Sequence, residues 1–147
     1  MAIDAGLIIR KLLVDNAAVS ALVGSQVYPQ SAPETAVLPY IVYNRIDGEH
    51  LHEMKGASGL VRTLIQVESF SKDYLEVVGL ADKSRLALDG FQKTSVTVDG
   101  DTARVDSIWL QDNEDGFERP TDATDEGFHR RIQDYEMFHD EVVPTFP

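Results

Sequence analysis

The sequence predicts an α+β domain: an antiparallel sheet of four to five strands with two main helices packed on one face. Three observations carry this. Apolar residues recur at helical spacing over 5–14 and 72–88. Period-two alternation rich in β-branched and aromatic residues marks 40–46, 60–70 and 128–140. Consecutive strands joined by turn-forming residues pair antiparallel, and helices outside such a run cover one face of the sheet.

The first helix is predicted over 5–14, with Asp4 as its cap and Leu7, Ile8, Ile9, Leu12 and Leu13 supplying the apolar face. Asp15-Asn16 is a second start signal. A short helix from Ala17 to Val23 follows and stops at Gly24, which enters the left-handed conformation without strain. Pro29, Pro33 and Pro39 exclude regular helix or inner strand over 25–39, which reads as an extended connection. Tyr40–Ile46 reads as a strand. Residues 47–59, with three glycines, two histidines and mixed charge, read as a flexible loop. Leu60–Phe70 is the clearest strand: Val61, Thr63, Ile65 and Val67 face one way, Arg62, Gln66 and Glu68 the other. Ser71 is the expected cap of the second main helix, with Asp73 in its first turn. Tyr74, Val77, Ala81, Ser84 and Leu88 form that helix's stripe, and Asp89-Gly90 ends it. Strands 94–98 and 103–110 flank an Asp99-Gly100-Asp101 turn. Residues 111–127 read as an acidic loop, 128–140 as the last strand and 142–147 as a tail. One domain spans 1–147, without repeats or low-complexity tracts.

Composition limits the function. The 147 residues carry a formal charge of -12, with 43% apolar and 26% charged side chains, so the chain is a foldable acidic domain. Of that charge, -2 lies in residues 1–98 and -10 in 99–147. Such a surface repels nucleic-acid phosphates and anionic membranes. With no cysteine, thiol catalysis, disulfides and thiolate metal sites are excluded. Leu7-Ile8-Ile9, broken by Arg10-Lys11, is too short to span a bilayer, and the N-terminus has no signal-peptide pattern.

Candidate sites were weighed on residue chemistry. His50, His52 and Glu53 offer two imidazoles and a carboxylate to a metal, but a metalloprotease helix needs its histidines at i and i+4, no third ligand is fixed by the spacing, and an exposed loop is favoured. Asp112-Asn113-Glu114-Asp115-Gly116 fails the calcium-loop pattern, because Gln111 stands where the first acid belongs. There is no nucleophile elbow and no phosphate-binding glycine motif. Trp109, Tyr135 and Phe138 carry much apolar area and read either as core or as interface. Both faces of strand 128–140 mix apolar and polar residues, where a plain solvent face would alternate cleanly.

Several segments occur together in a fixed order: Leu22-Val23-Gly24, Val27-Tyr28-Pro29, Leu38-Pro39-Tyr40-Ile41-Val42-Tyr43, the segment 48–52, Gln66-Val67-Glu68-Ser69-Phe70, Leu88-Asp89-Gly90-Phe91 and Phe128–Tyr135. This composite resembles the tail completion (tail terminator, tail-to-head joining) proteins of long-tailed bacteriophages and prophages. The resemblance implies a structural virion protein with no catalytic residues, metal or cofactor. It implies a homo-oligomeric ring, usually a hexamer, that caps the head-proximal end of the tail tube, stops its polymerisation and meets the head connector. Its partners would be the major tail tube protein and a head-closure or connector protein, with genomic DNA only as passing cargo and no membrane. Its place would be the neck of the virion, after assembly in the host cytoplasm. On this reading the tube or ring interface draws on Asp47, Glu49, His50, Leu51, His52, Met54 and Lys55 with Trp109, Tyr135 and Met137. Asp112, Glu114, Asp115, Glu118, Asp122, Asp125 and Glu126 would line a DNA channel or face solvent. The alternatives are another neck or head-closure protein, a soluble adaptor, and a metal-dependent enzyme built on His50, His52 and Glu53.

Overall fold

The computed structural model describes residues 4–53, 56–118 and 127–141. Helix α1 (Ala5–Asp15) begins where the Asp4 carboxylate accepts from Gly6 N–H at 3.0 Å. Asn16 separates it from α2 (Ala17–Val23) and caps the latter by accepting from Ala18 and Val19 N–H. Gly24, at φ +62°, ends α2. Strand β1 (Val27–Pro29) follows, then β2 (Tyr40–Glu53), β3 (Gly56–Ser71), α3 (Tyr74–Leu88), β4 (Gln92–Val98), β5 (Asp101–Glu118) and β6 (Phe128–Asp140).

The sheet has six strands in the order β1-β2-β3-β6-β5-β4. The α+β class is as the sequence predicts; the strand count is one more than expected. The extra strand is β1, which pairs parallel to β2 from Val27↔Ile41 to Pro29↔Tyr43. It lies at the sheet edge with proline at its end, where a missing N–H breaks no ladder. Arg10 holds it to α1 by donating to the carbonyls of Val27 and Ser25. The remaining pairings are antiparallel.

The expected loop at 47–59 is instead strand over its described residues. β2 continues to Glu53 and β3 starts at Gly56, with pairs such as Gly48↔Thr63 and His50↔Val61. The glycines and charges that suggested a loop sit on a solvated hairpin arm, where they satisfy the ladder with no apolar alternation to reveal it. Likewise, Gln111 to Glu118 of the expected acidic loop extend β5 along β6, down to Glu118↔Phe128. The rest of that loop, 119–126, and the tail 142–147 lie outside the described residues. Asp99 and Gly100, both at positive φ, form the tight β4–β5 turn.

One face of the sheet carries the helices and the core. Val61, Thr63, Ile65 and Val67 of β3 and Gln133, Tyr135, Met137 and His139 of β6 point into it. They meet Ile8, Ile9 and Leu13 of α1 and Val77, Leu80, Ala81 and Leu88 of α3. Each such side chain contributes about 1.5–3 kcal/mol by leaving water. Asp73, not Ser71, caps α3 by accepting from Leu75 N–H at 3.1 Å. Ser71 ends β3, accepting from Asp73 N–H and donating to Glu76 at 2.6 Å. Tyr74 also leaves the predicted stripe: it is exposed and meets the His129 ring edge-on at 5.6 Å.

Candidate functional site

Away from the helices, the sheet presents a second, largely polar face. Its centre is Arg62 on β3, whose Nε donates to Glu136 Oε2 of β6 at 2.6 Å. Asp47 and Glu49 of β2 each lie 4.0 Å from the same guanidinium. A bulge between Arg45 and Asp47 leaves Ile46 without a partner on β3 and 51% exposed. Trp109 of β5 lies on this face opposite Glu136 and is 41% exposed. Two expected interface residues, Asp47 and Glu49, thus share one cation, and Trp109 stands across the sheet from them.

Tyr135 and Met137 are corrections. Both are fully buried, because their face of β6 is the one covered by the chain's own helices. The mixed character of that face has an internal cause. Tyr135 hydroxyl donates to Gln133 Oε1 at 3.1 Å, and Gln133 Nε2 donates to the Ala81 carbonyl of α3 at 3.2 Å. His139 is buried as well. Its Nδ1 lies 3.0 Å from the Asp140 carbonyl, which can only accept, so Nδ1 carries a proton, and its Nε2 hydrogen-bonds the Thr63 hydroxyl at 3.0 Å. These polar residues are partners inside the core.

His50 points to the helix side of the arm, its Nδ1 2.7 Å from Glu141 Oε2. With Asp4, Arg45, Thr63 and His139 it lines a cleft of about 290 Å³. His52 is exposed beyond a second bulge. Among the described residues no three His, Asp or Glu side chains converge as metal ligands. Met54 and Lys55 lie outside the described residues.

The acidic end of β5 is partly neutralised by β6. Arg131 grips Asp115 with Nε–Oδ1 at 2.6 Å and Nη2–Oδ2 at 3.2 Å. This fork holds the Asp115 carboxyl below the usual carboxylate range. Arg130 Nη1 reaches Glu118 at 3.2 Å. Gly116 makes room for Arg130, since a Cβ there would stand 3.0 Å from its Nε. Asp112 and Glu114 are exposed and have no ion-pair partner among the described residues. Asp122, Asp125 and Glu126 lie outside the described residues. Arg130 and Arg131 answer these acids only because β5 runs past residue 110 beside β6, a pairing that no local pattern signals.

Glu68, on the polar face, is half-buried. Burial raises its carboxyl pKa, Arg130 opposes this, and Glu118 and Asp134 add to it. A raised acid binds its proton more tightly folded than unfolded, so stability falls as pH rises through that window. Glu68→Gln is therefore expected to raise the melting temperature near neutral pH, by less than about 1 kcal/mol in stability. The gain should vanish below the unfolded carboxyl pKa of about 4.3. Melts of both proteins across pH check this; a gain independent of pH would show that ionisation is not its cause.

A sheet with a helix-covered face, a charged open face and a projecting hairpin arm has the build of a protein that works by contact. The comparisons make this specific. The family model for tail completion protein gp17 matches residues 8–140, so the chain belongs to that family. It is thereby a tail completion protein, a structural component of a phage-like virion. A solved structure described as the virion of a native gene transfer agent (GTA) particle contains a similar chain. The TM-score is 0.68 at 16% identity, over 94% of this chain and 95% of that one, which establishes the shared fold. Among curated proteins, none matches this chain.

Proposed function

We propose that this chain is a ring-forming tail terminator. Six copies close head to tail at the head-proximal end of the tail tube, stop its polymerisation and join the tail to the head connector. The observation that carries this reading is family membership over 8–140, nearly the whole chain. The separation of surfaces supports it. A heterologous ring needs two different lateral faces and a third for the tube. The chain offers the β2–β3 arm with Asp47, Glu49, His50, Leu51 and His52, and, at a distance from it, the β5 margin with Trp109. Asp112 and Glu114, with Asp115 and Glu118, would then face the channel, where acidic walls keep passing DNA from sticking.

The test is solution mass together with negative-stain imaging, on the chain alone and after addition of the major tail tube protein. The expected result is a closed ring of about six subunits on the tube end. A monomer in both conditions, with tubes that continue to grow, would overturn the reading. Against the metal-enzyme alternative stands the contact His50 makes instead, its Nδ1 2.7 Å from Glu141 Oε2.

A further inference from the structure

Helix α3 buries one side and exposes two leucines on the other. Val77, Leu80, Ala81, Ser84 and Leu88 are buried against the sheet and α1. The opposite stripe, Leu75, Gly79, Asp82 and Leu86, follows the four-three-four spacing of a helix face. Leu75 is 76% exposed and Leu86 71%, the two highest values for large apolar side chains among the described residues. Gly79 lies between them, with no atom within 4 Å of where its Cβ would stand. Glycine inside a helix is destabilising relative to alanine. Nothing among the described residues requires one here. Its effect is to let another backbone approach the outer surface of α3.

The charges beside this stripe select the occupant. At about 100° per residue, Glu76 and Lys83 lie on the same flank of the stripe, about two turns apart. Two copies related by a two-fold axis place their helices antiparallel, with like flanks facing each other. Centring the contact between Leu80 and Ala81 sets Leu75 against Leu86 of the second copy, and Asp82 across from the open Gly79. The same centring brings Glu76 opposite Lys83 of the second copy, and symmetry makes this pair twice. Glu76 uses one oxygen for Ser71, at 2.6 Å. Lys83 has no ion-pair partner among the described residues.

We propose that the outer face of α3 is a two-fold self-association surface. A second copy of this chain seats its own α3 antiparallel on Leu75, Gly79 and Leu86, with register fixed by two Glu76–Lys83 ion pairs. A two-fold contact cannot generate a head-to-tail ring, so this contact is separate from those that close the ring and does not rest on the terminator reading.

The chain has no cysteine, which makes disulfide trapping clean. Oxidation of a Leu75→Cys/Leu86→Cys double variant of the full chain is expected to give a covalent dimer, and neither single variant should. In sedimentation equilibrium, Glu76→Lys and Lys83→Glu are each expected to abolish the dimer, and the two together to restore it. Leu75 and Leu86 are exposed and Glu76 and Lys83 half-buried, with Glu76 accepting from Ser71, so melting curves of each variant are read beside the dimer to confirm that the fold is kept. Absence of the trapped dimer, a dimer that survives both single reversals, or failure of the charge swap to restore it would each overturn the proposal. A ring forming without the trapped dimer would overturn this contact and leave the terminator reading standing. Binding of tail tube protein to this face, with no dimer, would also overturn it.

Discussion

Tyr135→Ala is expected to lower the stability of the domain by about 3–5 kcal/mol, the usual cost of emptying an aromatic site in a core. Tyr135 lies on β6 between β3 and β5 and is completely buried. Its ring fills the space between sheet and α3, and its hydroxyl donates to Gln133, which in turn holds the Ala81 carbonyl. Burial pushes the phenol well above its ordinary pKa, so it stays neutral and keeps donating throughout the useful pH range. Tyr135→Phe separates the two contributions. It keeps the ring but leaves Gln133 Oε1 without its donor, at a cost of about 1–3 kcal/mol. Urea unfolding at constant m reads both differences. If Tyr135→Ala shifts the midpoint no further than Tyr135→Phe, the ring is not the packing element assigned to it.

The second large effect is on assembly. Removing residues 49–57 joins Gly48 to Ser58 and leaves the β2–β3 register from Tyr40↔Phe70 to Gly48↔Thr63 intact. The new turn draws on Ser58, Gly59 and Leu60, so the Leu60↔Asp140 pair on β6 is given up. The arm's own pairs with β3 go as well, with the His50–Glu141 pair, which is worth about 0–1 kcal/mol, but none of the core residues is removed. The shortened chain is therefore expected to fold with a near-normal melting curve and to yield no tails joined to heads. Electron microscopy of particles made with the shortened protein reads the outcome directly. Normal numbers of finished particles would show that the arm has no part in tail completion.

Much of this architecture was legible in the sequence because local chemistry agreed with the final fold. Asp4, Asn16 and Gly24 mark helix ends by hydrogen-bonding capacity and backbone freedom, and each does so in the structure. The alternation of Val61, Thr63, Ile65 and Val67 with Arg62, Gln66 and Glu68 is the pleat itself. Strand ends that project past the core were not legible. Residues 47–53 and 111–118 bury little apolar area, so their strand state comes from pairing with β3 and β6 rather than from their composition. The burial of Tyr135 was hidden for a related reason. Gln133 and His139 look like solvent residues, and only tertiary partners, the Ala81 carbonyl and Thr63, make a buried position tolerable. The polar face around Arg62 likewise exists only once β2, β3 and β6 lie side by side.

The order β1-β2-β3-β6-β5-β4 has a consequence for synthesis. Before β6 is made, every other strand already has a neighbour: β1 to β3 form one group, β4 and β5 another. β6 is the last strand, yet it occupies the centre and pairs with both groups. A nascent chain therefore holds two half-sheets, each with an unfilled edge, until β6 clears the ribosome. A chain interrupted before β6 never acquires the continuous sheet that carries Trp109, Arg62 and Glu136 in line.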